Sequence, residues 1–152
     1  MRVILQRVSR GSVTVEGVIT GQVEQGFVAL VGVTHGDTRT EAELLAKKTA
    51  GLRVFPDEEQ KMNRSVLDAG GGVLVISQFT LYADTRKGRR PSFIGAAAPD
   101  VAAPLVDYYA ECLQNAGVQR IEKGVFGAMM QVELVNDGPV TIILDSDELK
   151  ER

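Results

Sequence analysis

Read as a pattern of apolar and polar positions, residues 2–33 predict strands. Val3 to Val8 is a first strand candidate. Val13-Thr14-Val15 and Val18-Ile19-Thr20 flank Glu16-Gly17, a hairpin signal in which glycine supplies a positive φ. Phe27 to Val33 is wholly apolar between Gly26 and Gly36, as a buried strand would be. A helix follows. Thr38 with Glu41 three residues on forms a capping box, Leu44 and Leu45 give the apolar stripe, and Gly51 suits the position just past the end. Arg53-Val54-Phe55 reads as a short strand stopped by Pro56, and residues 57–72 are polar and glycine-rich.

Val73, Leu74, Val75 and Ile76 form the most continuous apolar run, expected of a strand buried on both faces. Ser77, Gln78, Phe79 and Thr80 bring polar side chains where that strand should end. A second helix is predicted from Pro99 to Ala116, entered through two prolines that must lie near its first turn. Its apolar positions are Val101, Leu105, Tyr108, Cys112 and Leu113, and Gly117 ends it. Val118 to Ile121, Met130 to Val135 and Val140 to Leu144 complete the strands, with Asn136-Asp137-Gly138 as a turn between the last two. Two helices among many strands predict an α/β fold, a single domain over residues 1–152 with its sheets covered on one side.

Composition narrows the function classes. A chain of 152 residues with 44% hydrophobic content can bury roughly 70% of its unfolded surface around one core. The net charge of -3 argues against a protein that coats nucleic acid, yet Arg86, Lys87, Arg89 and Arg90 crowd four cations around Gly88. One cysteine and one histidine leave no disulfide within the chain and no zinc site built from those residue types. No apolar run approaches the roughly 18 residues of a membrane span. Gln6 and Arg7 interrupt the N-terminal apolar stretch too early for a signal peptide, so the expected compartment is the cytoplasm.

A hydroxyl nucleophile at Ser77 or Thr80 would need a base held by a third group. The single histidine, His35 in Thr34-His35-Gly36-Asp37, carries no triad pattern and reads as a loop or capping residue. The residues alone leave two readings of 77–81 open. One is a strand end whose hydroxyls satisfy backbone groups. The other is a catalytic turn. The cation cluster has two readings as well, a solvated loop or a phosphate-directed patch. Cys112 is expected to be packing.

Ser77-Gln78-Phe79-Thr80-Leu81, taken with Asn136-Asp137-Gly138-Pro139-Val140-Thr141, resembles the D-aminoacyl-tRNA deacylase (D-tyrosyl-tRNA deacylase) family. The resemblance extends over essentially the whole chain. It implies a layered β/β/α domain with mixed, barrel-like sheets and two main helices. It also implies hydrolysis of the ester in D-aminoacyl-tRNA and mischarged glycyl-tRNA, with no cofactor and no metal. In that family the backbone N–H groups matching Phe79 and Thr80 face the scissile carbonyl, and the counterparts of Ser77 and Gln78 order the pocket. A ribose hydroxyl of the RNA assists.

The Gly138-Pro139 step is implied to be a cis peptide inserted into the site of the other subunit of a homodimer. There its carbonyls exclude L side chains from the substrate, and Arg7 helps to hold it across the dimer. Phe126-Gly127-Ala128-Met129-Met130 resembles the segment that lines the terminal adenosine pocket, with Met129 where relatives are more often polar. The expected partner is the acceptor end of aminoacyl-tRNA, approached through the 86–90 cations, and neither DNA nor membrane. Two rivals stand beside this reading: a tRNA-binding module without turnover, and a small-molecule esterase with Thr80 as nucleophile.

Overall fold

The computed structural model describes residues 1–150. Its organising element is β1 (Arg2–Val15), a 14-residue strand that absorbs two separately predicted ones. Along one edge β1 pairs antiparallel with β3 (Gly26–Gly32) through residues 2–8 and with β2 (Val18–Val23) through residues 11–15. Glu16 and Gly17, at φ 48° and 80°, form the expected tight turn between β1 and β2. Then β3 runs parallel to β6 (Gly72–Ser77), and β6 runs parallel to β7 (Arg120–Lys123). The sheet curls until β2 meets β7, where the Gln22 N–H donates to the Glu122 carboxylate at 3.3 Å. The result is a mixed, nearly closed barrel-like sheet, as expected.

The continuous apolar runs are explained by burial on both faces. Val8, Val13, Val23, Val28, Leu74 and Ile76 pack inside the curl. Alternate neighbours Phe27, Ala29, Val31, Val73 and Val75 face a larger core under two helices, α1 (Arg39–Gly51) and α2 (Pro99–Asn115). In that larger core Phe27 meets Phe55 edge to face, with ring centroids 5.0 Å apart. Burial of each large side chain there contributes about 1.5–3 kcal/mol.

The helix start was readable and its end was not. Thr38 and Glu41 do make the reciprocal capping box of α1, but Gly51 is the last helical residue and the chain leaves through extended Leu52. In α2, Pro99 sits at the first turn, whereas Pro104 lies inside the helix. Pro104 deprives the Asp100 carbonyl of its helical donor. Both residues are exposed, so water can serve that carbonyl. The buried face of α2 is Ala102, Leu105, Val106, Tyr109, Ala110 and Leu113, a stripe displaced from the predicted one. Val101 is 44% exposed, and Tyr108 turns outward to donate to Glu43 at 2.6 Å. Tyr109 displaces Tyr108 from the core because its hydroxyl finds Thr49 at 2.9 Å, so burial leaves no unpaired polar atom. Cys112 is half-buried against the core, in keeping with a packing role.

Three strand predictions need correction. Phe55–Pro56 (β4) pairs with Met62–Arg64 (β5), so Pro56 belongs to the strand it was expected to stop, and the polar stretch contains a strand. The strand expected at 118–121 runs from Arg120 to Lys123, after buried Val118. The stretches 130–135 and 140–144 form one strand, β8 (Gln131–Asp145), antiparallel to β1 along its whole length. Asn136-Asp137-Gly138 therefore reverses nothing. Gln6 pairs with Thr141 and Val8 with Asn136, so residues 137–140 bulge outward opposite Arg7 alone. A five-residue helix, α3 (Ser146–Lys150), follows. Among the described residues no helix is long and apolar enough to cross a membrane.

Candidate active site

Strand β6 delivers Ser77 to the edge of the sheet, and the Gln78 N–H extends the parallel ladder by donating to the Val31 carbonyl at 2.8 Å. The chain then tightens into a 3-10 turn, Phe79–Tyr82. The Leu81 N–H donates to the Gln78 carbonyl at 3.2 Å, and the Ala83 N–H to the Thr80 carbonyl at 3.1 Å. The N–H groups of Phe79 and Thr80 have no hydrogen-bond partner among the described residues, as expected for the first amides of such a turn. The turn rests on Gly32. A Cβ there would stand 3.0 Å from the Leu81 Cβ and 3.1 Å from the Gln78 carbonyl oxygen, so a side chain would push the turn outward.

The Thr80 side chain is exposed, and its hydroxyl accepts a short hydrogen bond from the Gln78 amide. Among the described residues no basic side chain holds it. His35 is engaged elsewhere, with Nε2 2.6 Å from the Ile94 carbonyl, in keeping with a loop role. Among the described residues no group of three or more His, Cys, Asp or Glu side chains is placed to hold a metal ion.

Ser77, Gln78 and Phe79 line a cavity of about 700 Å³, together with Phe126 and Met130. The cavity's opposite wall is Phe93 and the small residues 96–98, tied to the sheet by the Ala97 N–H donating to the Val33 carbonyl at 2.9 Å. Phe79 and Phe93 meet edge to face with centroids 5.0 Å apart. Met130 is half-buried and also packs on the inner core of the curl, so it fills both of the roles open to it. Met129 is 89% exposed. Among the described residues no ionisable side chain lines the cavity. An acyl group bound here would meet aromatic and aliphatic walls, two hydroxyl or amide side chains, and Phe79 with its unpartnered N–H, whereas Thr80 adjoins the cavity in sequence without lining it.

Gly138-Pro139 is cis. The 137–140 bulge that carries it is gripped by Arg7, which is only 8% exposed. The Arg7 Nε donates to the Asp137 carbonyl at 2.9 Å and one terminal nitrogen donates to the Val54 carbonyl at 2.6 Å. The Asp137 carboxylate lies 3.5 Å from Nε. Arg7 is thus no ordinary surface arginine, and the segment it grips belongs to its own chain. Gly138, Pro139 and Arg7 do not line the cavity of the chain that bears them.

The four cations form a separate surface feature. Backbone bonds in both directions between Asp84 and Ser92 (2.7 and 2.9 Å) close a loop whose tip turns at Gly88, φ 65°. Arg86 makes a two-pronged contact with Asp84 at 2.7 and 2.9 Å. Those bonds hold the Asp84 carboxyl down at about 2. Lys87, Arg89 and Arg90 are exposed and make no ion pair among the described residues. The loop begins just beyond the 3-10 turn and ends beside Phe93, so it hangs from both walls of the cavity. Sequence reasoning assigned no role to Phe93 or Gly32. Phe93 at least stood close to the 86–90 cations, whereas nothing in the sequence around Gly32 signals what it faces.

A profile of the D-Tyr-tRNA(Tyr) deacylase family matches residues 4–145. The D-aminoacyl-tRNA deacylase of Thermomicrobium roseum is 65% identical over 150 residues, covering 99% of this chain and 97% of that one. The enzyme of the same name from Thermus aquaticus is 57% identical over 148 residues, 97% of each. Among solved structures, one titled c-Myc DNA unwinding element binding protein superposes with a TM-score of 0.89 at 39% identity, covering 95% of this chain and 98% of that one. A probable eukaryotic D-amino acid tRNA deacylase superposes with a TM-score of 0.80 at 20% identity, covering 94% and 97%, and speaks for the fold alone. Motif, fold and whole-length identity agree: the chain belongs to the D-Tyr-tRNA(Tyr) deacylase family.

Proposed function

We propose that the chain deacylates D-aminoacyl-tRNA with main-chain amides in place of catalytic side chains. The observation that carries this reading is the pair of unpartnered N–H groups at Phe79 and Thr80, beside a cavity without an ionisable wall. Water adds to the ester carbonyl, and the developing oxyanion is met by the two amides. Collapse of the tetrahedral intermediate breaks the bond to the terminal ribose. The amino acid leaves as carboxylic acid, and the proton lost by water goes to the ribose oxygen. The neighbouring ribose hydroxyl orients the water, which removes the need for a protein base. Ser77 and Gln78 shape the acyl end of the pocket, while Phe126 and Met130 contact the terminal adenosine. Lys87, Arg89 and Arg90, with Arg86 tethered to Asp84, take the acceptor-stem phosphates.

The substrate's chirality is read by a second copy of the chain, whose Gly138-Pro139 enters the cavity and whose carbonyls bar an L side chain. Two features support an assembly of this kind. The Gly-Pro bulge does not line its own cavity, and β8 exposes Val135 and Ile143 on either side of it. Glycine has no side chain to bar, so glycyl-tRNA is accepted too. The setting is the cytoplasm, where aminoacyl-tRNA is made and used.

Family membership makes the chain an enzyme and sets aside the binding module without turnover. The esterase reading lacks a base for Thr80. The test is hydrolysis of D- and L-tyrosyl-tRNA by wild type and Thr80→Ala. Selective loss of the D ester, with Thr80→Ala within about tenfold of wild type, supports amide catalysis. A folded but inactive Thr80→Ala, reduced by about four powers of ten as expected for a lost nucleophile, would overturn it.

A further inference from the structure

We propose that Arg2 is a positioning residue for the deacylation, bolting the 3-10 turn in the orientation that aims its amides at the substrate. The inference rests on the amide reading above. Arg2 lies on β1 and does not line the cavity. It makes three contacts, two with the last residues of the turn and one with the end of β8. One terminal nitrogen donates to the Leu81 carbonyl at 2.7 Å. The guanidinium carbon stands 4.7 Å from the centroid of the Tyr82 ring. Nε and the other terminal nitrogen both lie 3.0 Å from the Asp145 carboxylate, which is 14% exposed.

A four-residue turn has too few hydrogen bonds of its own to fix its direction. Two exterior supports do so here. Gly32 lets the turn sit flush on β3, and Arg2 grips its last two residues, while the first two amides stay without a partner among the described residues. A planar guanidinium is suited to this task, since it donates in two directions while stacking on an aromatic face. Asp145 is the last residue of β8, so the same side chain ties the turn to the strand that bears Gly138-Pro139. Among the described residues Asp145 makes no hydrogen bond to the turn itself, and it meets Arg2, which makes it the orienting partner.

The test uses the full chain and D-tyrosyl-tRNA under saturating and subsaturating conditions, with amide hydrogen exchange at Leu81 and Ala83 as an independent readout. Arg2→Met is expected to lower kcat by about tenfold or more, because small misplacements of catalytic groups are costly, while KM stays within about threefold. Exchange at Leu81 and Ala83 should rise at a temperature where the rest of the sheet stays protected. Arg2→Lys, which keeps the charge beside Asp145, should recover part of kcat and covers the case of a poorly folding Arg2→Met. Asp145→Asn should lower kcat less, and adding it to Arg2→Met should change nothing further, since both act through one grip. Unchanged exchange at the turn in both Arg2 variants, with wild type active, would overturn the role of Arg2 and leave the amide reading standing. Faster exchange with unchanged kcat would overturn both, because loosened amides would then be irrelevant to the reaction.

Discussion

Arg7→Lys isolates the grip on the Gly-Pro bulge. Arg7 is nearly buried and serves two carbonyls at once, those of Asp137 at 2.9 Å and Val54 at 2.6 Å. A hydrogen bond from a charged donor contributes about 1.5–3 kcal/mol. The Asp137 carboxylate adds little to this, since its side chain is 44% exposed at 3.5 Å and such pairs are worth about 0–1 kcal/mol. A lysine ammonium lacks the fork and can serve one carbonyl or the other. The variant therefore loses about one such bond, about 2 kcal/mol. In a domain of this size that lowers the melting temperature by about 4–8 °C. Arg7→Met loses both bonds and should cost about twice as much. Thermal unfolding followed by circular dichroism measures this. Initial rates on D- and L-tyrosyl-tRNA test the consequence, a fall in the D over L ratio as the bulge loosens. A melting point within about 1 °C of wild type, together with an unchanged ratio, would refute the idea that Arg7 holds the bulge.

Other outcomes follow from single contacts. Replacing Arg89 and Arg90 by glutamine should flatten the dependence of log K on log salt for tRNA binding by about one to two units, whereas Arg86→Gln should do less because Asp84 already occupies it. Gly26→Ala should prevent folding or cost more than about 3 kcal/mol in urea unfolding, since its Cβ would lie 1.9 Å from the Gly72 carbonyl oxygen at φ 153°. Asp84 should titrate near pH 2 in an NMR experiment and return toward about 3.9 in Arg86→Gln. Because its folded value is depressed, the pair's contribution is complete above the unfolded value and disappears as pH falls through about 2. Loop closure should thus be indifferent to pH between 5 and 8.

Much of the fold was legible because β3 and β6 are buried on both faces and show it as unbroken apolar runs. The capping box of α1 was legible because it is a local exchange of hydrogen bonds. What stayed hidden was decided at a distance. The face of α2 depends on which of two adjacent tyrosines finds a buried partner, and Thr49 on the other helix chooses Tyr109. The continuity of β8 was obscured because Asn-Asp-Gly-Pro reads locally as a turn, while β1 pairs with the chain on both sides of it and converts it to a bulge. The site divided in the same way. The unpartnered amides follow from a buried strand meeting a short polar segment, but that Arg7 is buried, and that Gly32 backs the turn, could emerge only from packing. Nothing in the residues themselves separated a catalytic 77–81 from an ordinary strand end; the family resemblance did.

The long strand β1 works as a measuring stick. Arg2 reaches the Leu81 carbonyl and Arg7 reaches the Asp137 carbonyl, so a single rigid strand spaces the two elements to which the proposed mechanism assigns turnover and chirality. Five residues separate them, about 17 Å at strand pitch, and an odd interval sends the two guanidiniums to opposite faces. Substitutions between them at the solvent-facing positions leave this spacing intact, but inserting one residue would turn one arginine to the wrong side and lengthen the interval as well. The permitted variation in this segment is therefore in chemistry and never in length.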